Sequence, residues 1–306
     1  MAYRLESEFQ HSAPIFSVVF SPDGEKIVTA VGDYTARIWN IDSGRELKTL
    51  KGHEDSGWIN SVAFSPDGKK IVTAISGRTA QIWDAESGKL LQELKEHTNH
   101  VHSAAFSPDR KKVITSSKDG TARIWDAYSG ELLQKLEGHA DRVWFASFSP
   151  DGKKIVTASG TNVVRLWDAE SGTARIWDAE TGELLQELKG HTNNVLCVAF
   201  SPNGKKIVTA SADNTAQIWD ANSGKVLRTL EGHTERVNAA AFSPDGTKIV
   251  TASPDRTVRI WNTESGELLQ KIEHANRVWF ATFSPDGKRI ATASHDGIAR
   301  IWALPY

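Results

Sequence analysis

The sequence is short of several things, and each shortage narrows what it can be. Of 306 residues one is cysteine, Cys197, so no intrachain disulfide can form and nothing calls for an oxidising compartment. No apolar run approaches the ~20 residues a membrane-spanning helix needs. The opening segment MAYRLESEFQH lacks the apolar stretch of a secretory signal. Neither sign of charge dominates: the net charge is −2, which offers no electrostatic draw to nucleic acid or to an anionic membrane. There is no phosphate-cradling glycine loop, no dinucleotide fingerprint and no nucleophile elbow. No long stretch carries a helical period. These shortages predict a cytoplasmic protein with no cofactor, no metal, and neither nucleic acid nor membrane as partner.

What the chain has instead is repetition. The phrase Phe-Ser-Pro-Asp-Gly, or a near copy, begins at Phe20, Phe64, Phe106, Phe148, Phe200, Phe242 and Phe283, at spacings of 44, 42, 42, 52, 42 and 41. After each copy comes a β-branched run such as KKIVTAS, a turn, a run such as TARIWD, an Ala-Glu-Ser-Gly-type turn and a run such as ELLQKL. Proline presets φ and glycine supplies positive φ at the turns, while Ile, Val, Thr and Trp suit the pleated runs between them. Each repeat therefore reads as four short strands, and a repeat of this period is the signature of stacked units sharing one core.

Gly-His, then Phe-Ser-Pro-Asp-Gly, then Asp-Gly-Thr-Ala-Arg-Ile-Trp-Asp is similar to the unit of the WD-repeat family, over essentially the whole chain. The resemblance implies an all-β, seven-bladed β-propeller over 1–306, with four antiparallel strands per blade. The last repeat stops at its third strand, Ile301-Trp302, and the segment at about 3–9 stands where a fourth strand is missing. That segment is expected to complete the blade at about 274–303, closing the ring and leaving the propeller complete. The uniformity of the repeats resembles that of bacterial members of the family.

Each repeat also holds a His, a Thr, usually an Asp, and a Trp at fixed offsets. The full sets are His11, Thr29, Asp33, Trp39; His97, Thr115, Asp119, Trp125; His191, Thr209, Asp213, Trp219; His233, Thr251, Asp255, Trp261; and His274, Thr292, Asp296, Trp302. Thr, His and Asp together invite a catalytic-triad reading. A catalytic set is needed once, however, and this one recurs. The resemblance implies a structural hydrogen-bonded tetrad in each blade, and no catalytic residue is assigned. Two repeats depart from it. Beside His53, Thr73 and Trp83 stands Gly77 in the aspartate place, and beside His139, Thr157 and Trp167 stands Thr161.

Variation among the repeats gathers around a β-branched residue five before each Phe. The residues after it are Phe16, Asn60, His102, Trp144, Leu196, Asn238 and Trp279; those before it are Pro14, Trp58, His100, Arg142, Asn194, Arg236 and Arg277. Strand alternation predicts that such flanking residues share one side. The resemblance places them at the top mouth of the channel, where family members commonly bind partners. Trp and Arg dominate binding hot spots, so Trp144, Trp279, Arg142 and Arg277 lead the candidates, with Phe16, Trp58, His102, Asn60, Leu196, Asn238 and Arg236 around them. The alternative is that the Trp side chains only fill space between blades. His100 and His102 share one side of a strand but have no carboxylate or thiolate partner for a metal.

The 52-residue interval contains a local duplication, RLWDAESGTA followed by RIWDAETG. The Thr-to-Trp offset is ten in the other repeats, which favours Trp167 as the framework Trp and assigns about 168–178 to a looped-out connection before the fourth strand. The functional expectation is a monomeric, non-catalytic scaffold binding a protein or peptide on its top face. The alternatives are a structural or self-assembling propeller, a sensor domain detached from a larger signalling protein, or a hydrolase-type enzyme at the channel mouth.

Overall fold

The computed structural model describes residues 2–51, 57–139, 141–160 and 173–303. They form seven four-stranded antiparallel sheets, and none of them is helical. The sheets take sequential strands in order, as in blade one: Ile15–Phe20, Lys26–Val31, Ala36–Asn40 and Glu46–Leu50.

The seven-blade propeller is the fold the repeats predicted, and its ring closes as they predicted. Strand Arg4–Gln10 pairs antiparallel with Ile298–Ala303, the third strand of blade seven. Arg300 Nε donates to Glu8 Oε1 at 2.8 Å across that seam, and Tyr3 O–H donates to the Gly287 carbonyl at 2.9 Å. Phe9 buries itself edge-on against Trp39 of blade one, 5.6 Å between ring centroids. An otherwise bare sheet edge is thereby covered.

The core lies between blades rather than within one. Val72, Ala74, Ile82 and Leu94 of blade two pack with Val101, Ala104, Phe106 and Trp125 of blade three, all buried. Each sheet buries both faces against its neighbours, which is why the second strands read as near-continuous apolar runs.

The turns follow from side chains that hold the backbone. In Ser65-Pro-Asp-Gly, Ser65 Oγ donates to Asp67 Oδ1 at 2.6 Å and accepts from Lys70 N–H at 2.9 Å. Gly68 takes φ +70° there. Arg110 occupies the same place in blade three at φ +67°, a left-handed conformation that costs a non-glycine residue about 1–2 kcal/mol.

Blade four corrects the strand assignment made from the sequence. Its third strand is Thr173–Asp178, in register from Lys154↔Asp178 to Ser159↔Thr173. Trp177, not Trp167, donates its indole N–H to Thr157 Oγ1 at 2.9 Å. Residues 173–178 thus form a framework strand rather than a loop, and the surplus falls before it, within 161–172. Those residues, including Trp167, lie outside the described ones. The reason is chemical equivalence: both copies offer the Arg-x-Trp-Asp phrase, so an offset of ten could not tell which one pairs.

Candidate binding site

The tetrads form a graded series. In blade three His97 donates from Nδ1 to Asp119 Oδ2 at 2.7 Å; its Nε2 accepts from the Thr115 hydroxyl at 2.7 Å, and that hydroxyl accepts the Trp125 indole N–H at 2.8 Å. Blades five and six repeat the chain through His191, Thr209, Asp213, Trp219 and through His233, Thr251, Asp255, Trp261. Every donor is matched to one acceptor, as buried polar groups require. Burial alone would raise the three aspartates, yet hydrogen bonds from the histidine and a nearby threonine hold them well below the usual carboxylate range.

Blades one and seven do not complete the tetrad, which corrects two of the five sets. His11 turns Nδ1 to the Phe9 carbonyl at 3.0 Å, and Asp33 pairs with Arg37 at 2.6 Å. His274 Nδ1 meets no carboxylate and has only the Ile272 backbone beside it, and Asp296 pairs with Arg300 at 2.9 Å. The cause is a shortened connection. One residue separates the last core residue of the preceding strand from the histidine (Phe9 to His11, Ile272 to His274), where two do so elsewhere, as from Leu94 to His97. Both histidines keep their bond to the threonine hydroxyl, which still accepts the tryptophan indole N–H. His53 and Thr161 lie outside the described residues. Their blades still show what a missing aspartate does: Thr79 Oγ1, two residues after Gly77, is buried and unpartnered, as is His139 Nδ1.

The mouth is built from bulges. Between Ile15 and Ser17 the ladder skips Phe16, and the same shift skips Asn60, His102, Trp144, Leu196 and Trp279. A bulge re-aims its extra side chain, so the candidate residues owe their direction to this irregularity and not to simple alternation. They surround a cavity of about 370 Å³. Phe16, Asn60, His102, Trp144, Leu196, Arg236, Asn238 and Trp279 line it. Arg142 sits over the Trp144 ring at 5.8 Å. Arg277 lies outward in an adjoining groove, and Trp58 is a half-exposed rim residue 6.3 Å from Phe16. The sequence reading missed a second tier: Ser17, Ser61, Phe145, Cys197 and Phe280 also line the cavity. They follow the bulge residues directly, and strict alternation would have turned them away.

Two aromatic groups organise the lining. His102 stacks on Trp144 at 4.4 Å, while Trp279 meets Phe16 edge-on at 6.3 Å and carries the Arg236 guanidinium 5.6 Å above its ring. Five polar atoms of the lining are buried without a hydrogen-bond partner: Ser17 Oγ, His102 Nε2, Trp144 Nε1, Asn238 Nδ2 and Trp279 Nε1. Each such atom costs about 1–3 kcal/mol relative to a satisfied one. Burial pushes His102 down to about 4, assisted by the positive charges of Arg142 and Lys118 and by His100. Burial likewise pushes the Cys197 thiol up to about 11, far from nucleophilic.

Fold and site together define a closed, repeat-built propeller whose blades are clasped by internal hydrogen bonds and whose channel mouth is aromatic and donor-rich. The chain belongs to the WD40 family (WD domain, G-beta repeat), whose pattern matches residues 4–40, 44–84, 88–126, 130–168, 182–220, 224–262 and 266–303. Its fourth match ends at 168, on the first copy of the duplicated phrase; the ladder to Lys154–Ser159 shows that the second copy is the paired one. Ribosome assembly protein 4 of Chaetomium thermophilum is 50% identical over 50 residues, 16% of this chain and 9% of that protein. Denticleless protein homolog of Gallus gallus is 40% identical over 53 residues, 17% and 7% of the two chains. Denticleless protein homolog B of Xenopus laevis is 37% identical over 46 residues. The matched stretches span less than a tenth of these relatives' lengths, and the relatives are eukaryotic, so the bacterial character expected from repeat uniformity gains no support.

Proposed function

We propose that this protein is a monomeric, cytoplasmic, non-catalytic scaffold that binds a protein or peptide segment at the channel mouth on its top face. WD40 propellers generally act as protein-interaction scaffolds. The observation that carries the reading here is the convergence of two aromatic groups and the Arg236 guanidinium on one cavity. Large aromatic rings with an arginine beside them at an open mouth are what a docking segment can cover. A catalytic reading has less behind it. The Thr–His–Asp sets recur in three blades as closed hydrogen-bond chains, and the thiol at the mouth is held protonated.

The test is affinity capture from cell lysate with the parent chain and with a variant carrying Trp144→Ala, Trp279→Ala, Arg142→Ala and Arg277→Ala, both shown to be folded by thermal melting. A partner held by the parent and lost by the variant supports the mouth. A partner retained by both moves the site to another surface.

A further inference from the structure

The chemistry of the mouth specifies its occupant more narrowly than the scaffold reading requires. The unpartnered atoms include two indole N–H groups, which can only donate, and the Asn238 amide nitrogen, also a donor. Among the described residues no aspartate or glutamate lines the cavity. Arg236 lines it, and among the described residues neither Arg236 nor Arg277 has an ion-pair partner.

Five carboxylates elsewhere on this face are committed. Asp119, Asp213 and Asp255 are held by histidines, and Asp33 and Asp296 by arginines. Asp141 partly offsets Arg142 at 3.8 Å, and Glu235 lies in the outer groove. Beyond burial, the neighbours acting on His100 are Lys118, Arg78 and Arg142, all positive. Among the described residues the mouth therefore offers positive charge and no carboxylate of its own.

The mouth also has an exit. The adjoining groove shares Ala212, Arg236 and Trp279 with the cavity and continues past Pro254 to Arg277. An extended segment can seat one residue in the cavity and run outward along this groove.

We propose that the occupant of the mouth is an extended peptide segment of a partner protein that places an aspartate or glutamate carboxylate in the cavity, beside Arg236. This rests on the reading of the mouth as the binding site. Arg236 supplies charge-assisted bonds, which are the stronger ones, and Arg277 holds the outgoing chain.

The test uses the full chain and fluorescein-labelled peptide pools, each with one position fixed as Asp, Glu, Asn, Gln or Lys and the others randomised, read by fluorescence anisotropy. Pools with Asp or Glu at one central position are expected to bind about tenfold more tightly than the Asn and Gln pools. That advantage should shrink to under about threefold in Arg236→Met and should weaken in ~0.5 M salt. Arg236→Met is chosen because Arg236 rests on the Trp279 ring face, a contact methionine can keep, so the fold is expected to survive; thermal melting checks it. Neutral or lysine pools binding as well as acidic ones, with binding lost in Trp144→Ala/Trp279→Ala, would overturn the acidic specificity and leave the scaffold reading standing. Binding of no pool, or binding unaffected by the double variant, would overturn both. A single-stranded oligonucleotide binding more tightly than every acidic pool would overturn the peptide assignment.

Discussion

At the scale of single residues, stability turns on whether each buried polar atom finds its partner. Thr79 Oγ1 lacks the carboxylate that Thr121, Thr215 and Thr257 receive from Asp119, Asp213 and Asp255. Gly77 is not in the left-handed region, so an aspartate fits its backbone. Gly77→Asp is expected to add about 1 kcal/mol, read as a rise of a few degrees in melting temperature; no rise would contradict the alignment of blade two. Arg110→Gly should relieve left-handed strain at the loss of an exposed 3.1 Å pair with Asp67, a net gain of about 0.5 kcal/mol in urea unfolding. The histidines give a pH prediction. His11, His102 and His274 are held at about 4 and His139 at about 3, chiefly by burial. The unfolded chain takes up these protons near pH 6.5, so their contribution is full above that value and is lost as pH falls toward 4. The depressed aspartates add a further loss below about pH 4. The melting temperature should fall steadily from pH 7 to pH 5, and a flat profile would count against the burial of these rings. The tetrads were legible in the sequence as offsets. Their failure in blades one and seven was not, because it depends on a connection one residue shorter whose effect appears only once the preceding strand is placed.

At the scale of elements, the second copy of a duplicated phrase became the third strand of blade four. The Thr-to-Trp offset pointed to Trp167, but two near-identical strands in tandem leave the choice to packing, and Trp177 buries itself in the interface with blade three. Deleting residues 163–172 would restore the ten-residue offset from Thr157 to the present Trp177 and give a segment SGTNTARIWD close to SADNTAQIWD of blade five. The shortened chain is expected to fold with the same circular dichroism spectrum and equal or higher stability, since it restores the repeat spacing of blade five. Loss of folding would show that 161–172 is structurally required. The bulges at the mouth are the other feature the sequence hid: alternation put the right residues near the channel but omitted the tier at Ser17, Phe145 and Phe280.

At the scale of the whole molecule, the ring was legible because closure needs one more strand and the chain starts with it. Removing residues 1–10 would strip the partner from Ile298–Ala303 and uncover a strand edge along with the Trp39 face that Phe9 covers. Such a chain should melt at lower temperature and self-associate, seen by light scattering. A truncated chain as stable and monodisperse as the parent would mean that the seam contributes little.

The central claim is that the channel mouth is the working surface, and photo-crosslinking tests it most directly. A photoreactive phenylalanine analogue placed at Trp279, in the mouth, or at Tyr128, 85% exposed on the opposite face, would be irradiated with the captured partner bound. The account predicts a covalent adduct from position 279 and none from position 128. An adduct from 128 with none from 279 would contradict it.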